Sequence, residues 1–124
     1  MKGSKRPALD RYLCAILLLK QRYFCVRAID VARYLDCSKA SVSISLRQLA
    51  EEELIYVEEG GNVMLSQAGE DRAKMQQERH TFFFRFLTEA GVDQLTAEQE
   101  ALAISHAVSD RSFMLLKKYA EAEK

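Results

Sequence analysis

Tryptophan is missing from this 124-residue sequence, proline occurs once, glycine five times and cysteine three times. Each scarcity removes a class of structure. One proline and few glycines exclude a collagen-like or linker-rich chain and leave long helices uninterrupted. Cys14, Cys25 and Cys37 are odd in number and lack C-x-x-C spacing, so neither a disulfide framework nor a zinc ribbon is indicated and reduced thiols are expected. The apolar run at residues 14–19 is far short of the ~18 residues of a membrane span. A signal-peptide layout is also missing, because the basic residues 1–6 lead into Asp10, Arg11 and Tyr12. The expectation is a cytoplasmic protein with no membrane partner. There is no G-x-S-x-G, H-E-x-x-H or phosphate-binding glycine loop, so no enzyme is expected.

What is present suits a compact, helix-rich domain: 48% hydrophobic and 29% charged residues. The formal net charge of zero conceals an asymmetry. Residues 1–50 hold ten Lys/Arg against three Asp/Glu, and the remainder is correspondingly acidic. Such a split points to nucleic-acid or membrane contact by the basic half.

Apolar spacing predicts a first helix over residues 9–22, a short extended segment over 23–26 and a second helix over 28–35. Residues 35–38 supply a tight turn. Ser38 is suited to cap a third helix running to about Glu52. Residues 55–58 and 63–66 flank a Gly60-Gly61-containing link and read as a β-hairpin. A long helix over residues 67–90 ends at Gly91, and two more follow over 97–108 and 110–122.

Two helices, a turn and a hairpin make a winged helix-turn-helix whose third helix enters the DNA major groove. With Val42 taken as the core direction, Leu46 lies about 40° and Leu49 about 20° away, so all three face inward. Ser38, Lys39, Ala40, Ser41, Ser43, Ile44, Arg47 and Gln48 form the candidate DNA-binding set. Small hydroxyl side chains admit the backbone close to base edges and can bond phosphates. Ile44 suits a thymine methyl, Arg47 a guanine or phosphate, and Lys39 a phosphate. The fold class expected is mainly α: a winged helix-turn-helix DNA-binding domain with a two-stranded wing over 1–70, then a helical dimerisation domain over 71–124.

With those residues placed, the chain resembles the iron-dependent repressor family, which includes the diphtheria toxin repressor and the manganese transport regulators. The resemblance rests on Tyr12-Leu13, Ser38-x-x-Ser41-Val42-Ser43, Leu54-Ile55, Val63-x-Leu65-Ser66-x-x-Gly69, Arg79-His80, Phe86-Leu87, Gly91-Val92-Asp93 and the stretch from Ser105-His106 to Ser109-Asp110. It implies a homodimeric transcriptional repressor on a palindromic operator. It also implies a regulatory metal, with His80 and His106 at ligand positions and Cys14 where manganese regulators have a carboxylate. Arg11, Leu102 and Ser105 stand where the family has other ligands, which predicts metal sensing reduced or lost. A remnant Cys14, His80, His106 set would suit a divalent metal (zinc, manganese or iron) with one position open.

Two further features bear on partners. Phe82, Phe83, Phe84 and Phe86 cover more than one side of their helix, more than a small monomer buries, and with Phe113 and Leu116 are expected at the dimer interface. Glu58 and Glu59 sit in the wing, where carboxylates repel phosphate; the basic cluster Lys2, Lys5 and Arg6 is the expected compensation. The competing readings are a protein-interaction winged helix without DNA binding and a small-molecule-responsive regulator of the multiple-antibiotic-resistance type. Cys37, beside the recognition helix N-terminus, is a candidate redox sensor.

Overall fold

The computed structural model describes residues 6–123, with side chains from residue 9. Lys2, Lys5 and the Arg6 side chain lie outside the described residues. The order is α1 Arg6–Arg22, α2 Ala28–Leu35, α3 Lys39–Glu51, β1 Ile55–Val57, β2 Val63–Leu65, α4 Gln67–Glu89, α5 Gln94–Ala107 and α6 Asp110–Ala122. The strands pair antiparallel, with Ile55 opposite Leu65 and Val57 opposite Val63. This is the mainly helical winged helix-turn-helix that the periodicity indicates. Among the described residues no helix is long and apolar enough to cross a membrane.

Local chemistry sets the boundaries. Asp30 accepts the Arg27 amide at 2.8 Å and starts α2. Asp36, at φ 55°, ends it in the left-handed region that aspartate tolerates better than most residues. Ser38, Asp93 and Ser109 accept the amides of Ser41, Thr96 and Ser112 and start α3, α5 and α6. The Asp93 cap explains why α5 begins three residues before the apolar pattern does. Gly91, at φ 108°, closes α4, its amide and that of Val92 returning to Thr88 and Leu87 carbonyls.

The helical period breaks over residues 23–26 as expected, and the segment joins no strand. Tyr23 and Phe24 project into solvent, and only Val26 is buried. Its carbonyl accepts the Val63 amide at 2.7 Å, and its own amide donates to Asn62 Oδ1. One ladder bond to the wing is too few to organise a third strand.

The chain divides into two compact units, Met1–Met75 and Gln76–Lys124, with the boundary inside α4. The N-terminal unit closes over Leu13, Ile16, Val31, Val42, Leu49 and Val63. In the C-terminal unit Phe82 meets Phe113 edge-on at 5.6 Å, and Phe83 lies 6.1 Å from the same ring. Of the phenylalanines expected at a dimer interface, Phe83 and Phe113 are buried within the single chain. Phe82 and Phe84 are half-buried, while Phe86 and Leu116 are exposed.

Candidate nucleic-acid interface

Helix α3 separates its residues as its period requires. Val42, Leu46 and Leu49 are buried, while Ser38, Lys39, Ala40, Ser41, Ser43, Ile44 and Arg47 are exposed and Gln48 is half-buried. Ile44 is 53% exposed although it is a large aliphatic residue. An isoleucine held out by a helix anchored on its other side is available for contact with another apolar group.

The serines divide by task. Ser38 Oγ accepts the Ser41 amide at 3.1 Å and donates to Ser41 Oγ at 3.0 Å, so this pair organises the first turn. Ser43 is on the open face. Ser45 is half-buried and turns to Tyr12 of α1, whose phenol is pushed above its ordinary value chiefly by burial, with the Ser45 hydrogen bond opposing. Tyr12 and Ser45 were legible only as an apolar-face residue and another serine, because the wheel does not say which neighbour a side chain meets.

Arg11 is a second residue the pattern did not place. Its Nη2 donates to the Leu35 carbonyl at 3.1 Å, and Nη1 lies 3.9 Å from Cys37 Sγ. Cys37 is half-buried, with Sγ 3.5 Å from the same carbonyl.

The wing is short and acidic at its tip. Glu58 Oε1 accepts from Asn62 Nδ2 at 2.9 Å, and Asn62 Oδ1 accepts from Lys20 Nζ at 3.1 Å. Glu58 and Glu59 are both exposed. A cavity of about 310 Å³ in this unit is lined by Leu17, Lys20, Met64, Leu65, Glu70 and Lys74. Its Lys74 is paired with Glu70 at 2.8 Å.

The residues of the expected metal site belong to both units. Cys14 lies in the N-terminal one, half-buried, its Sγ donating to the Ala73 carbonyl at 3.7 Å. Burial, with Asp10 adding to it, pushes the thiol up to about 11, so it keeps its proton at neutral pH. His80 and His106 lie in the C-terminal unit. His80 Nε2 is 3.4 Å from the Glu98 carbonyl and 3.7 Å from its carboxylate, and the ring stacks on Phe84. Ser105 is buried and donates to the Ala101 carbonyl at 2.5 Å, and Leu102 presents only hydrocarbon. Among the described residues, neither unit contains within itself a group of three His, Cys, Asp or Glu side chains able to hold an ion.

No protein-family model matches the chain. The transcriptional regulator MntR of Escherichia coli O6:H1 is 30% identical over 111 residues, which cover 90% of this chain and 72% of the relative. A solved manganese-dependent transcriptional repressor in complex with manganese superposes with a TM-score of 0.75 at 29% identity, covering 91% of this chain and 51% of that one. The manganese regulator SloR gives a TM-score of 0.80 at 23% identity over 91% of this chain and 53% of its own. The chain thus spans about half the length of these two solved structures. Taken with the winged fold, the identity to MntR shows that the chain belongs to the iron-dependent repressor family, whose members are transcriptional regulators and not enzymes.

Proposed function

We propose that this protein is a transcriptional repressor that binds a palindromic operator as a homodimer, with residues up to about 70 reading DNA and the helices after them joining two copies. The observation that carries the reading is the exposed face of α3, where Ser43, Ile44 and Arg47 stand out from a helix locked by Val42 and Leu49. The basic balance of residues 1–50 supports attraction to phosphate. The acidic wing does not grip the backbone, so the recognition helix and the basic N-terminal half supply the affinity. Two-fold symmetry sets the recognition helices ~34 Å apart, one turn of duplex.

Phe86, Leu95, Leu115, Leu116 and Tyr119 are exposed on the C-terminal unit. Such apolar surface on so small a unit supports dimerisation there.

Metal sensing is reduced or lost. The residues at the family's ligand positions do not fit a divalent ion: Ser105 is turned to its own helix, Leu102 has no donor and Arg11 is a cation.

The test is anisotropy titration of the purified protein with the DNA upstream of its own gene, between about 50 and 200 mM salt, with chelator or with manganese, zinc or ferrous iron. Binding that weakens steeply with salt and is equal in all metal conditions is expected. Salt-insensitive capture of a protein without DNA affinity would establish the protein-interaction reading instead. DNA binding that requires an added metal would restore metal sensing.

A further inference from the structure

Two consecutive residues of α1 hold the helix-turn-helix from behind. Tyr12 is buried and bonds Ser45 in the middle of α3. Arg11 reaches the turn before α3. The last carbonyls of a helix have no helical amide to accept. At the end of α2 the Asp36 and Cys37 amides take the Arg33 and Ala32 carbonyls, and Arg11 Nη2 donates to that of Leu35 at 3.1 Å. The left-handed Asp36 and the Ser38 cap follow directly, so the residue bonded by Arg11 lies three positions before the cap of the recognition helix.

We propose that Arg11 is a positioning residue: its guanidinium ties α1 to the turn and so fixes the recognition helix, which makes operator binding independent of any divalent ion. The inference rests on the reading of α3 as the DNA-reading helix. It is carried by the disagreement between Arg11 and the metal that the family resemblance implies. A fixed cation engaged with a backbone carbonyl stands at a position where the resemblance puts a metal ligand. The positive charge there is covalently part of the chain, so it does not vary with metal supply.

Because the bond is exposed, its loss is expected to cost about tenfold in operator affinity rather than abolish binding. Arg11→Ala and Arg11→Lys are compared with the native chain in chelator. Operator affinity, its dependence on salt, affinity for unrelated duplex and the thermal midpoint are measured for each. The expected result for Arg11→Ala is a fall of about tenfold for operator alone, with the salt slope and midpoint unchanged; Arg11→Lys, which keeps a cationic donor, recovers most of it. Unchanged affinity in Arg11→Ala overturns the proposal. So does a salt slope reduced by about one, which marks a direct phosphate contact, or a lowered midpoint that lysine does not restore, which marks a purely structural role. If the native chain binds operator only with added metal, this inference fails while DNA reading stands; if it binds no DNA, both fail.

Discussion

Cys14 shows how burial decides what a side chain can do. The folded protein holds the Cys14 proton up to about 11, against an ordinary 9.0. A folded value raised in this way adds stability that is complete below pH ~9 and is lost as the pH rises through ~11. The N-terminal unit is therefore expected to lose on the order of 2 kcal/mol over that interval through this group. Comparing urea melts of the native chain and Cys14→Ala across the interval isolates the effect, and an equal decline in both would refute it. Exposed Cys25 is expected to react with a thiol reagent at neutral pH well before Cys14, as mass spectrometry of the labelled chain can determine. From sequence, Cys14 is one small residue on an apolar helix. Its protonation depends on which atoms surround it, and that is a tertiary fact.

Among the elements, the junction of wing and α4 turns on one glycine. A Cβ at Gly69 would lie 1.9 Å from the Leu54 carbonyl oxygen, a backbone atom that cannot step aside. Ser66 links the same parts, its hydroxyl donating to the Glu53 carbonyl and accepting the Gly69 amide. Gly69→Ala is expected to destabilise the N-terminal unit by about 2 to 3 kcal/mol, which thermal melts would reveal; a variant as stable as the native chain would contradict the packing argument. The Ser66-x-x-Gly69 spacing was visible in the sequence as part of a motif, but its reason was not, because Leu54 approaches only after the hairpin folds back.

Helices α4, α5 and α6 meet at Arg79, whose side chain is only 4% exposed. Its guanidinium donates to the Ser105 carbonyl at 2.7 Å, to the Val108 carbonyl, and to Asp110 at 2.6 Å, and it lies 5.5 Å above the Phe113 ring. One side chain thus satisfies the end of α5 and engages the start of α6. Arg79→Ala leaves those carbonyls without their donor and is expected to cost about 3 kcal/mol or more. Asp110→Asn keeps both carbonyl bonds and is expected to cost less. Chemical denaturation followed by circular dichroism orders the two, and the reverse order would mean that the ion pair, rather than the capping, holds the junction.

For the whole molecule, charge and apolar surface point in different directions along the chain. The basic first half faces nucleic acid in the proposed reading, whereas the second half exposes Phe86 and Leu115. Phe86→Glu and Leu115→Glu are expected to shift the protein from dimer to monomer in sedimentation equilibrium and to weaken operator binding, because a monomer reads only a half-site. A variant that stays dimeric would place the interface elsewhere.

The sequence by itself determined the helix-turn-helix, the wing and the face of α3 that points outward. Those properties follow from apolar period, capping residues and turn chemistry, all of which act over a few residues; the family resemblance rested instead on short motifs spread along the chain. Only the tertiary structure decided that Phe83 and Phe113 are interior, that residues 23–26 gain no strand partner, and that Arg11 grips the turn before the recognition helix. Each of these depends on contacts between residues distant in the chain, and periodicity carries no information about which distant atom a side chain will meet.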